Sequence, residues 1–100
     1  MTTILDEIRD YPSLQAALRR RREQLGLSQL DLDHVCGWPS GYCGKIEARP
    51  GYGAERGNFR ALGPQSLPEL LAALGLRLAI VADDTALPAM TRLHSVEAAA

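Results

Sequence analysis

The chain has few cysteines, few aromatic rings and no charge of one sign in excess. Cys36 and Cys43 are its 2 cysteines, and its aromatic residues are one Trp, one Phe and three Tyr. Both cysteines fall in a stretch that reads as helical, in a chain without an export signal, which disfavours a disulfide. No run approaches about eighteen apolar residues, and the N-terminus lacks the basic-then-apolar plan of a signal peptide, so neither a membrane span nor export is expected. A cytoplasmic, nucleoid-associated protein is the expectation. A net charge of -1 argues against a uniformly basic nucleic-acid binder. Also missing are a nucleophile–base pair, a phosphate loop and a metal cluster, so no enzyme activity, no cofactor and no metal are expected. His34, Cys36 and Cys43 offer three possible ligands without a fourth at finger spacing, and the thiols read as core residues.

What is present is an ordinary globular composition, 46% hydrophobic and 23% charged over 100 residues. That is enough for one small domain with a limited core, one that gains from stabilisation outside the monomer. The near-zero charge hides a division along the chain. Residues 13–60 carry eight cations (Arg19, Arg20, Arg21, Arg22, Lys45, Arg49, Arg56, Arg60) against five acids, a balance of +3. Residues 1–12 and 61–100 each sum to -2. A basic centre between acidic ends fits one anion-facing surface, or simply a solvated charged face.

Residues 1–12 read as an N-terminal arm. Ser13 is a cap for a first helix with Leu14, Ala17, Leu18 and Leu25 at helical spacing, and Gly26 stops it. Ser28 caps a second helix, "QLDLDHVC", with Leu32, Val35 and Cys36 on one side and Gly37 as the stop. Pro39 suits the first turn of a third helix over 39–47, in which Cys43 and Ile46 share the side of Pro39 while Ser40, Gly41, Gly44 and Lys45 point away. Residues 48–65 form an extended Gly-rich basic loop. Ser66 caps "LPELLAAL", closed by Gly75. "LRLAIVA", 76–82, alternates as a strand within a 76–83 segment, and 84–100 is a tail.

Helix, glycine stop, capped short helix, turn and second short helix is the helix-turn-helix order, whose second helix enters the DNA major groove. "LRRRREQLGLSQLDLDHVCGWPSGYCGKIE" resembles the helix-turn-helix of the XRE/Cro/CI family of bacterial and phage regulators, through Arg19 and Arg22, Leu27-Ser28-Gln29, Gly37, and Ile46-Glu47. "SLPELLAALG" resembles the family's next helix, so the likeness spans 13–75. It implies a mainly α, lambda-repressor-like bundle of four to five short helices with one C-terminal β-strand, and it implies roles for matching positions. Gln29 would meet a phosphate at a helix N-terminus. Ser40, Gly41, Gly44 and Lys45 would face the groove, with Tyr42 placed to touch a phosphate or a thymine methyl. Arg22 and Glu47 match a structural ion pair. Asp33 departs from the family, which usually has alanine there, and Pro39-Ser40 replaces a simple Ser/Thr cap.

Two glycines inside a recognition helix admit two readings: a backbone that approaches DNA closely, or one that fits against protein. The 48–65 loop, about ten residues longer than in simpler members of the family, brings Arg49, Tyr52, Arg56 and Arg60, either to follow phosphates or as an ordinary connector. The 76–82 strand resembles that of HipB-type antitoxins, which pair this segment between subunits. Leu76, Leu78, Ile80 and Val81 would then carry dimerisation, setting two recognition helices one DNA turn apart on an inverted repeat. The expected function is therefore a DNA-binding repressor acting on double-stranded DNA as a homodimer, with a heterodimer of related chains as the variant. The alternative is an antitoxin that neutralises a toxin or other regulatory protein and represses its own operon.

Overall fold

The computed structural model describes residues 2–49 and 59–91. Among the described residues the helices are α1 Tyr11–Gln24, α2 Gln29–Cys36, α3 Tyr42–Glu47 and α4 Ser66–Ala73, followed by a 3-10 turn at Asp84–Ala86 and helical residues at 89–91. The chain is mainly helical, a small helical bundle, and the described residues contain no strand. Residues 76–83 carry no regular structure in the single chain.

The first helix begins three residues earlier than its spacing predicts. Asp10, not Ser13, is the N-cap: its carboxylate accepts from the Ser13 backbone N–H at 2.8 Å, while the Ser13 hydroxyl accepts from the Asp10 N–H at 3.1 Å. This reciprocal box, with Pro12 in the first turn where its missing N–H costs nothing, outcompetes a cap on Ser13 alone. Those hydrogen bonds hold the Asp10 carboxyl below its ordinary range. The second helix matches expectation. Ser28 and Asp31 form a second capping box, and Gly37 ends α2 at φ 70°.

The third helix is shorter than the predicted 39–47. Pro39 and Ser40 stay outside it, and Gly41 is its N-cap at φ 92°, a left-handed backbone that glycine adopts without a Cβ penalty. Ser66 likewise does not cap α4. It is the first helical residue, and its hydroxyl accepts from the Gly63 N–H at 2.8 Å, tying the incoming loop.

α2 packs on α3 and α4, and α1 packs on α3. Leu18, Leu32, Cys43, Ile46, Leu70 and Leu74 are the buried apolar core, supported by Leu14, Leu27 and Leu62 at its margin. Val35 and Leu25, expected on inward faces, are instead exposed. None of the described helices is long and apolar enough to cross a membrane.

Candidate nucleic-acid interface

A six-residue helix cannot persist in water on its own propensity. α3 persists because side chains from two other helices close both of its ends. Gly41 has no side chain with which to cap, and the cap comes from α2. Asp33, only 2% exposed, accepts from the Gly41 N–H through Oδ2 at 2.8 Å and from the Cys43 N–H through Oδ1 at 2.6 Å. Its own carbonyl accepts from the Trp38 N–H at 2.8 Å, fixing the turn between the helices. At the other end Gln15 of α1 is buried and its Nε2 donates to the carbonyls of Ile46 and Ala48, at 2.9 and 2.8 Å. Both carbonyls belong to the helix end, where acceptors lack helical partners.

The ion pair implied by the family resemblance is present. Arg22 reaches Glu47 in bidentate fashion, Nε to Oε2 at 2.6 Å and Nη2 to Oε1 at 2.9 Å, with both side chains 9% exposed. Its remaining donor, Nη1, meets the Leu27 carbonyl at 2.7 Å. Gln29 Nε2 adds a third bond to Glu47, at 3.0 Å. Burial alone would raise the Glu47 carboxyl, but the hydrogen bonds from Arg22, Gln29 and Cys43 outweigh it and hold the group below its ordinary range. The same pairing raises Arg22. Cys43 donates its thiol to Glu47 Oε2 at 3.4 Å, and burial, reinforced by the Glu47 charge, pushes it up to about 12. It is a packed neutral thiol, not a nucleophile.

The two glycines have separate explanations, both within the chain. A Cβ on Gly41 would meet nothing within 4 Å, so its backbone conformation is what calls for glycine there. Gly44 has no positive φ, but its Cβ would lie 3.2 Å from Gln29 Oε1. Its bareness makes room for the Gln29 side chain that reaches across to Glu47.

The predicted contact residues differ in what they offer to solvent. Gln29, Ser40, Gly41, Arg49 and Arg60 are exposed, whereas Tyr42, Gly44 and Lys45 are half-buried. Tyr42 packs edge-on against Trp38, centroids 4.9 Å apart, rather than standing free. Trp38 is fixed in turn by its indole N–H to Glu69 Oε2 at 2.7 Å, which joins the turn to α4. Within the second half of the 48–65 connection the chain runs beside α3 and α1: the Arg60 N–H donates to the Lys45 carbonyl at 3.0 Å, and the Leu62 N–H donates to the Tyr11 hydroxyl at 2.8 Å. Phe59 meets the Tyr11 ring edge-on at 6.3 Å. Arg60 is thus brought next to Lys45, and Arg49 follows α3 two residues beyond its end. Arg56 and Tyr52 lie outside the described residues. Leu76 is half-buried, and Leu78, Ile80 and Val81 are exposed.

Asp33, Gln15 and the Trp38–Glu69 bond were not anticipated as the fixings of α3. A signal for two of them exists in the sequence: Gln15 and Arg22 share the helical face of Leu18, and Asp33 adjoins Leu32. Polar residues at core positions imply internal partners. No known protein family, curated protein or solved structure matches the chain.

Proposed function

We propose that the chain is a sequence-specific DNA-binding regulator, a repressor that presents the α2–α3 pair to double-stranded DNA as a dimer. The observation that carries this reading is the juxtaposition of Lys45 and Arg60 through their shared backbone hydrogen bond, at 3.0 Å, with Arg49 just past the same helix. Lys45 on α3, Arg60 bonded to its carbonyl and Arg49 two residues past the helix end supply cations suited to a phosphate backbone, with the exposed Gln29 at the N-terminus of α2. The exposed lead-in Ser40-Gly41, rather than the half-buried body of α3, is the part of the unit open to base edges. The family resemblance over 13–75 supports the same assignment. Segment 76–82 supplies the dimer contact, since its Leu78, Ile80 and Val81 are exposed in the single chain.

The exposed Leu78, Ile80 and Val81 also favour a second reading, in which this segment engages a different protein, as an antitoxin would. The test is a gel-shift on the DNA upstream of the protein's own gene. Lys45→Ala is expected to weaken binding and to lower the slope of log affinity against log salt by about one. Unchanged affinity and slope for Lys45→Ala and Arg60→Ala together would overturn the assignment.

A further inference from the structure

Beside the turn that joins α2 to α3 the surface opens into a cleft of about 440 Å³. It is lined by Gly37 and Trp38 of the turn, Tyr42 of α3, the lead-in to α4 and Glu69 of α4 itself. Trp38 and Tyr42 meet with centroids 4.9 Å apart and planes at 60°, so the aromatic wall is a corner and not a flat face. The volume falls in the range of roughly 300–1,000 Å³ that small-molecule sites occupy.

Among the described lining residues Glu69 carries the charge, and that charge is not neutralised. Glu69 is half-buried and its carboxylate is held by neutral donors, the Trp38 indole N–H at 2.7 Å on Oε2 and the Gln65 amide at 3.4 Å on Oε1. The second bond is long, so Oε1 is the less satisfied oxygen. Among the described residues no cation pairs with Glu69, and none lines the cleft. Glu47, by contrast, has Arg22. Negative potential extends along the wall: burial pushes the Cys36 thiol up, and the Glu69 and Asp33 charges push it further. A partly desolvated carboxylate without a counter-ion costs free energy that a cation in the cleft would recover.

A single carboxylate beside two rings lacks the set of about six oxygens that a hard divalent metal takes. It does suit an organic ammonium, whose charge pairs with the carboxylate while aromatic rings attract the cation and cover its apolar body. We infer that this cleft binds a small organic cation, a protonated or quaternary amine carrying an apolar group, with Glu69 as its ion-pair partner and Trp38 and Tyr42 as its aromatic contacts. The inference goes beyond the DNA-binding reading and does not depend on it. The occupant adds a second tie, beside the Trp38–Glu69 bond, between α4 and the turn that leads into the exposed Ser40-Gly41.

Trp38 is the one tryptophan of the chain, so its emission, excited at the red edge where the three tyrosines are silent, reports on this cleft. The test titrates the protein at neutral pH, without DNA, with phenethylamine, which is protonated there, and with 2-phenylethanol, a neutral molecule of nearly equal shape. Phenethylamine is expected to give a saturable change in emission, and the alcohol to need at least about fivefold more for the same change. Glu69→Gln keeps an oxygen to accept from the Trp38 indole, and it should erase that preference while thermal unfolding stays close to the parent's. An equal response of the parent to amine and alcohol overturns the assignment whether or not the variant folds. So does the lack of a saturable response to the amine at tens of millimolar, or a preference that survives Glu69→Gln.

Discussion

The helical bundle and the two terminal segments solve opposite problems. In the bundle, polar and charged groups have gone inside: Gln15, Arg22 and Asp33 are buried, and no buried side-chain nitrogen or oxygen among the described residues lacks a partner. In segments 2–9 and 76–83, large apolar groups have stayed outside. The difference teaches how a small chain divides its resources. With six buried apolar core residues among those described, the bundle fixes its helices through polar side chains that reach from one element to the termini of another. Much of the exposed aliphatic surface lies at the ends, although Leu25, Leu30 and Val35 of the bundle are exposed as well.

The sharpest way to break the bundle's side of this contrast is Glu47→Ala. It leaves the Arg22 guanidinium buried without its bidentate partner and removes the acceptor of Gln29 and Cys43, an expected loss of about 3–5 kcal/mol in urea unfolding. Against a total of roughly 5–15 kcal/mol for a domain this size, that approaches unfolding. The pH dependence follows from the depressed Glu47 carboxyl. Its stabilisation is complete above the unfolded-state value of about 4.3 and is lost as pH falls through the lower folded-state value. The Glu47→Ala chain should accordingly show a flatter decline in stability below that pH.

Asp33→Ala comes next. Two short hydrogen bonds from backbone N–H groups to a carboxylate disappear, and the start of α3 loses its cap, for an expected cost of roughly 2–3 kcal/mol. Asn at the same position keeps one acceptor and should recover about half of that. An Asp33→Ala chain as stable as the parent would show that packing alone seats α3.

How far the sequence discloses this arrangement depends on whether the interaction is local. The Ser28 cap, the Gly26, Gly37 and Gly75 stops and the inward face of Cys43 and Ile46 were legible, since each depends on residues within one or two turns. The long-range fixings were not. Asp33 is eight residues before Gly41, and Gln15 is 31 before Ile46. Spacing alone does not distinguish a buried acid that caps another helix from one on a solvated face. The Arg22–Glu47 pair, 25 residues apart, came from the family resemblance and not from the residues themselves. The alternation at 76–82 predicts a strand, but the single chain forms none there, and alternation by itself only states a need for an edge partner.

The two α3 glycines sharpen the comparison within a single element. Gly41→Ala forces a side chain into a left-handed backbone at an expected cost of roughly 1–2 kcal/mol. Gly44→Ala gains roughly 1 kcal/mol of helix propensity. It also crowds Gln29 Oε1 at 3.2 Å and disturbs the bond to Glu47. The two effects offset, so thermal unfolding of this variant should fall near the parent. A loss for Gly44→Ala as large as for Gly41→Ala would mean that Gln29 is rigidly held and belongs with the structural fixings of the bundle rather than with its contact surface.

The smallest effect belongs to the ends. Leu78→Ser with Ile80→Ser removes two exposed aliphatic side chains that contact no part of the buried core. Unfolding at high dilution, where only monomer is present, should move by no more than about 0.5 kcal/mol, as surface substitutions do. At high concentration the same pair of changes should lower the melting temperature, because ligand-like stabilisation by a second copy depends on protomer concentration and the substituted segment no longer offers it an apolar face. Equal shifts at both concentrations would instead place these side chains within the monomer's own core, and the division between a polar-fixed bundle and apolar ends would not hold.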